Sequence, residues 1–446
     1  MRRTINLKKG LNLRMTGGVD TPSEVSQVLP GSVAIVPDDF PGFRPKLDVA
    51  EGDSVCIGSP LMHDKEHPEI RLVSPVAGTV SHIVRGARRK IERVEITPTA
   101  DGAGKSMKTP VSSSREAIVN ALAASGLWAM MRQRPYDIVP DTAVSPRDIF
   151  VTALDTAPLA ADLELGVKDK INELKAGVKA LASLTSGHIY IGIGAGSALP
   201  DIDGAEMVEF NRLHPAGNAG VQAANIAPVN KGEIIWVLDI VTLCKIGHLM
   251  LNGEYDPKVY VAVTGSEVKT PCIISTIAGA HLSDILTGNV DNDGRTHRII
   301  SGNVLTGIPV GADGYLRYPY RQVTVIPEGD DADEFMGWAS LSPSKMSESR
   351  SFLGKLLGRR FNPDARLNGG RRAMIMSGIY DDYLPMDILP EYLIKAILAK
   401  DIDNMEALGI YEIAPEDIAL AEYADPSKLE LQRIVRQGLD YMRSEV

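Results

Sequence analysis

This sequence predicts a multidomain α/β protein, and three observations predict it. The first hundred residues are β-rich and broken by Gly, Pro and Asp turns. Strands then alternate with helices to about residue 253. Beyond that point a hairpin, a helix and a strand give way, after about 330, to charged amphipathic helices. A chain of 446 residues is too long for one core, so several domains are expected. The boundaries read as 1–100, 101–253, 254–330 and 331–446.

In the first domain, KLDVAEGDSVCIGSPL (46–61) and IRLVSPVAGTVSHIVRGARRKIERVEI (70–96) place Gly and Pro where strands turn sharply. These phrases resemble the barrel-sandwich domain of biotinyl and lipoyl carriers. A carrier displays its modified lysine on an exposed hairpin, commonly within Met-Lys-Met. The corresponding LMHDKEHPEIR (61–71) offers only Lys65 between Asp64 and Glu66, so the scaffold is present without a convincing tether. His63 and His67 lie four apart, which suits a metal only on a helix. Pro68 and the loop-like composition favour surface histidines.

A polar linker, DGAGKSMKTPVS (101–112), leads into SSSREAIVNALAASGLWAMM (112–131), a helix that Ser113 or Ser114 can cap. DIFVTALD (148–155), KDKINELKAGVKALASL (168–184), HIYIGIGAG (188–196), AEMVEF (205–210) and EIIWVLDIVTLCKIG (233–247) continue as strand, helix, strand, strand, and strand running into helix. That alternation indicates a largely parallel, Rossmann-like sheet. KVYVAVTG (258–265), PCIISTIAG (271–279), AHLSDILTG (280–288) and RIISGNVLTG (298–307) follow the order of a β-grasp unit. MDILPEYLIKAILAKDIDNMEALGI (386–410), PEDIALAEYA (415–424) and LELQRIVRQGLDYMRSEV (429–446) are the closing helices.

The net charge of −10 argues against nucleic acid as a partner. A basic cluster at Arg85, Arg88, Arg89 and Lys90 reads as a solvated hairpin end or a local docking patch. Cys56, Cys244 and Cys272 are widely spaced, which fits a reducing compartment and gives no grouped ligands for an iron–sulfur cluster. Cys244 and Cys272 read as core residues, and Trp128, Trp236 and Trp338 as packing anchors. The apolar runs are too short, or too charged at Asp239 and Lys245, to span a bilayer.

Two phrases are candidate sites. Gly192, Gly194 and Gly196 end an apolar run as a nucleotide loop does. Their spacing is not that of Gly-x-Gly-x-x-Gly, however, and SALPDIDGA leaves no room for the helix that would hold a pyrophosphate. Glu209 lies near the distance expected of a ribose-binding acid. A packing loop of small residues is the preferred reading. In HPAGNAG (214–220), His214 is placed to donate to a ligand carbonyl, with Gly217 and Gly220 admitting a flat ring. The preferred alternative is a turn whose histidine bonds a neighbouring backbone carbonyl.

The order of SPVAGTV (74–80), RGARR (85–89), SGLWAMMRQRPYD (125–137), VTALDTAPLAAD (151–162), HPAGNAG, LNGEY (251–255), RIISGNVLTG and SRSFLG (349–354) resembles one family along the whole chain. That family is the A subunit of the sodium-translocating NADH:quinone reductase. The resemblance implies a peripheral protein on the cytoplasmic face of the bacterial inner membrane. Its partners would be the other subunits of that complex, membrane-embedded ones especially, with quinone as a candidate ligand. The complex uses NADH, flavins, iron–sulfur and quinone to export Na+. The family is similar in architecture to the flavoprotein of complex I, whose Gly-rich flavin loop is replaced here by SGLWAMMRQRP. No redox cofactor is therefore expected on this chain, no catalytic residue, and no metal.

Overall fold

The computed structural model describes residues 2–19, 25–99, 105–290, 294–330, 346–347, 359–367 and 369–445. Trp338 and SRSFLG (349–354) lie outside the described residues.

The barrel sandwich is built from two small sheets. One holds Val33–Ile35, Ile91–Pro98, Gly78–Arg85 and Ser54–Val55; the other holds Pro45–Leu47, Pro60–Asp64 and Arg71–Val73. Lys65 is exposed in the turn after Pro60–Asp64. His63 lies in that strand and bonds Asp48 at 2.7 Å, whereas His67 sits in the turn, 3.9 Å from both Glu69 and Asp141. The two histidines therefore do not share a helix face. Among the described residues no His, Cys, Asp or Glu cluster could hold a metal.

The central sheet runs Arg3–Ile5, Glu206–Phe210, Ile189–Gly194, Asp148–Thr152, Ile235–Asp239, Arg132–Arg134. All neighbours are parallel except the last pair. The chain supplies one edge of this sheet from its first residues, a long-range pairing that local pattern does not reveal. Helices Ile171–Ala182 and Ile240–Asn252 cover one face; Ala219–Ile226 covers the other. The helix read over 112–131 is shorter than its apolar pattern implies. Ser114 caps it by accepting from the Ala117 amide, it spans Arg115–Ala124, and Gly126 at φ +79° breaks the chain away.

The β-grasp sheet runs Ile308–Val310, His297–Ser301, Gln322–Pro327, Lys258–Thr264, Cys272–Ile277, Ser26–Gln27, with helix Leu282–Leu286 packed on it. At the C-terminus, Pro390–Ala399 and Ile402–Ala407 are two helices because Lys400 turns left-handed between them (φ 54°). With Ala419–Ala424 and Leu431–Glu445 they bury Ile394, Leu420, Val435 and Leu439 against Leu7, Val208, Phe210 and Val221 of the α/β layer. The barrel sandwich and the opposite face of the sheet share a different core, in which Val73 and Ile96 join Trp128, Ile191 and Leu243.

Candidate functional site

Open α/β sheets bind ligands outside the carboxyl ends of their strands, where the chain reverses its direction of winding. Here the chain leaves Asp148–Thr152 toward Ile189–Gly194 on one side and returns to Ile235–Asp239 on the other. The reversal therefore lies between Thr152 and Asp239. Asp239 caps helix Ile240–Asn252 by accepting from the Thr242 amide at 2.7 Å. Its two oxygens also receive Arg321 of the β-grasp unit, at 2.6 and 3.0 Å. Gln322 beside it donates to the Pro158 carbonyl at 3.0 Å. The place an anionic ligand would take at this helix end is held by the protein's own carboxylate and guanidinium.

His214 and Gly217 border the same end of the sheet. The His214 peptide to Pro215 is cis, and the histidine is 4% exposed. Its amide donates to Asn12 Oδ1 at 2.8 Å, its carbonyl accepts from the Leu11 amide at 2.9 Å, and Nδ1 faces Thr156 Oγ1 at 3.1 Å. The side-chain partner is thus a hydroxyl, in place of the backbone carbonyl expected of the turn. Burial pushes the imidazole down to about 4, so it is neutral near pH 7. At Gly217 a Cβ would stand 2.7 Å from the Thr156 nitrogen and 2.8 Å from the Leu154 carbonyl oxygen, so a bare backbone is needed there for close packing. HPAGNAG and VTALDTAPLAAD are therefore packed on one another. Asp155 is reached by solvent at the rim, yet the surrounding protein raises its carboxyl above the ordinary range, while the Ala157 amide pulls it back.

The three loop glycines separate. A Cβ at Gly192 would meet Gln222 Oε1 at 2.1 Å, and one at Gly194 would meet Arg212 Nη2 at 2.9 Å; both glycines are buried. Only Gly196 of the three, at φ +81° with nothing within 4 Å, borders open space. No helix follows before strand Glu206–Phe210. Glu209 sits within that strand, opposite Ile193 on one side and Thr4 on the other. It is half-buried, one residue before the carboxyl end of that strand.

SGLWAMMRQRP can be tested against a flavin phosphate directly. Leu127, Trp128, Ala129 and Met131 are fully buried, and a Cβ at Gly126 would lie 3.1 Å from Val73 Cγ2. Trp128 Nε1 donates to the Pro140 carbonyl at 2.8 Å, and its ring meets Trp236 edge-on at 5.1 Å. These residues do not fit a phosphate, which requires free amides at close approach. Of the cysteines, Cys244 is core, whereas Cys272 is half-buried with its thiol 3.8 Å from Asn289 Nδ2.

Sequence reasoning missed Arg321, Gln222 and Arg212. YLRYPYRQ (315–322) carries the available signal, since aromatic and cationic residues alternate there just before a strand.

Three family descriptions match the chain in the order the fold presents. Residues 5–99 match the NqrA N-terminal barrel-sandwich hybrid domain, 113–255 the NqrA second alpha/beta domain, and 260–311 the NQRA C-terminal domain. The chain belongs to the NqrA family. Relatives of the family, named as the A subunit of Na(+)-translocating NADH-quinone reductase, include the protein of Rhodopirellula baltica, 35% identical over 98% of each chain. That of Pasteurella multocida is 36% identical over 99% of this chain and all of its own, and that of Neisseria meningitidis serogroup B is 34% identical over the same shares. A solved NAD+-reducing [NiFe]-hydrogenase overlaps 74% of this NqrA-family chain and 61% of its own at 13% identity, with a TM-score of 0.37. Among the described residues no helix is long and apolar enough to cross a membrane.

Proposed function

We infer that this chain serves as the NqrA component of a Na+-translocating NADH:quinone reductase, the complex named in its full-length relatives. Within that complex it is an organising component, peripheral on the cytoplasmic face of the membrane. It docks on membrane-embedded subunits, helps to shape a quinone site, and holds no redox cofactor of its own. Its working divisions are 1–100, 101–253, 254–330 and 331–446. The observation that supports the organising role is the filled winding-reversal point. Arg321 and Asp239 satisfy each other where a nucleotide would be held, and Trp128 packs where a flavin loop would run. Direct quinone or nucleotide binding by 192–196 and His214 is the weaker reading, because Gln222, Arg212 and Thr156 already stand against Gly192, Gly194 and His214. The full chain purified alone is expected to show no flavin absorbance and no NADH oxidation, while the assembled complex oxidises NADH. A stoichiometric flavin on the isolated chain would overturn the cofactor-free role.

A further inference from the structure

The barrel sandwich and the α/β layer share one apolar core, so they move as one body. The β-grasp unit has a core of its own, built from Val261, Val263, Ala280, Leu282, Val323 and Val325. Across its boundary, a small cluster joins Met15, Ile300 and Ile326 to Leu159, and Tyr318 stacks on Phe40 with ring centres 5.1 Å apart. Ile277 and Tyr318 pack on the edge of the shared core, and backbone pairing ties Gly17 to Gly265 and Ser26–Gln27 to Cys272–Ile277. The charged part of the attachment includes two Arg–Asp pairs on the segment Tyr315–Gln322.

Two arginines four residues apart on that segment reach two different domains. Arg317 takes both oxygens of buried Asp39 in the barrel sandwich, with its Nε at 2.8 and 3.0 Å. Arg321 takes both oxygens of Asp239 in the α/β layer. Between them the Tyr318 amide donates to Asp39 at 3.0 Å and its hydroxyl to the Met130 carbonyl at 2.6 Å. A second attachment lies at Ser32–Ala34, where the backbone bonds Gly279 and His281. A Cβ at Gly279 would stand 2.3 Å from the Ala34 carbonyl oxygen, so bare backbone is required at this approach. Polar interfaces between separately cored units permit relative motion, whereas shared apolar cores resist it.

We propose that Tyr315–Gln322 is an interdomain latch. Its two Arg–Asp pairs hold the β-grasp unit against the rest of the chain, and breaking them lets that unit swing as a body about the Ser32–Ala34/Gly279–His281 contact. The latch also closes the winding-reversal point, so opening it uncovers the end of helix Ile240–Asn252. Bidentate arginine–carboxylate geometry suits this task because it fixes orientation as well as distance.

The test is hydrogen–deuterium exchange of the full chain, comparing wild type with Arg317→Ala/Arg321→Ala and with Asp239→Asn. The asparagine keeps an oxygen for the Thr242 amide while removing the charge that Arg321 needs. Peptides covering 37–41, 237–243 and 315–322 are expected to exchange at least about tenfold faster in the double variant and several-fold faster in Asp239→Asn. Strand Lys258–Thr264, residues 323–327 past the latch, and strand Ile189–Gly194 of the central sheet should keep wild-type rates. Unchanged exchange at the three peptides in both variants would overturn the latch. Acceleration spread equally through the β-grasp core would do so too, since it would mean lost stability and no hinged opening.

Discussion

His214 shows how a residue's chemistry follows from what surrounds it. The imidazole is buried, and burial holds its folded value at about 4 against an ordinary 6.5. Between those values the unfolded chain takes up a proton that the folded chain refuses, so stability rises with pH across this window and levels off above 6.5. The difference amounts to about 3 kcal/mol when fully developed. Denaturant unfolding at pH 5 and pH 7 should therefore show a smaller loss on acidification in His214→Gln than in wild type. Equal losses in the two proteins would mean that the histidine is accessible to protons in the fold. The sequence alone supplied the position in a Pro-Gly turn. It did not supply the Thr156 partner, because that hydroxyl is 58 residues away and is brought in by the loop after strand Asp148–Thr152.

At the level of elements, what was legible followed from short-range rules. Alternation of strand and helix predicted the parallel sheet, and the residues after Gly192–Gly196 predicted that no helix opens before strand Glu206–Phe210. What was not legible depended on distant partners: Arg3–Ile5 joins the sheet through Glu206–Phe210, and Ser26–Gln27 joins the β-grasp sheet through Cys272–Ile277. The glycines of the helix pair were equally silent, since Gly177 and Gly247 sit inside apparently ordinary helical patterns. In the fold they let helices Ile171–Ala182 and Ile240–Asn252 touch backbone to backbone. A Cβ at Gly247 would stand 1.7 Å from the Glu173 carbonyl oxygen, and one at Gly177 would stand 2.5 Å from that of Leu243. Gly247→Ala is expected to cost about 3 kcal/mol, the upper end of overpacking, even though alanine favours helix. Urea unfolding would show this as a lower midpoint, whereas a stabilised variant would mean that the helices part without penalty.

Over the whole molecule, the closing helices are tied to the sheet by an apolar core and one buried cation. Arg134, on the antiparallel edge strand, is 1% exposed. It donates to Asp417 Oδ2 at 2.7 Å and to the Glu412 carbonyl at 3.1 Å, and it lies 3.0 Å from Glu416 Oε1. The same Asp417 oxygen accepts from the Ala414 amide at 2.9 Å, so one carboxylate both shapes the turn before Ala419–Ala424 and anchors it to the sheet. Removing only the cation strands that carboxylate in a dry setting, which costs more than removing both partners. Arg134→Met should therefore lose about 3–5 kcal/mol, and Arg134→Met with Asp417→Leu should lose less, despite carrying one more substitution. Chemical denaturation of the three proteins measures both differences. If the double variant falls as far as the sum of Arg134→Met and Asp417→Leu taken singly, the two side chains are not coupled, and the junction rests instead on the apolar contacts of Val208, Phe210 and Val221 and on the bonds of Asn218 and Arg436.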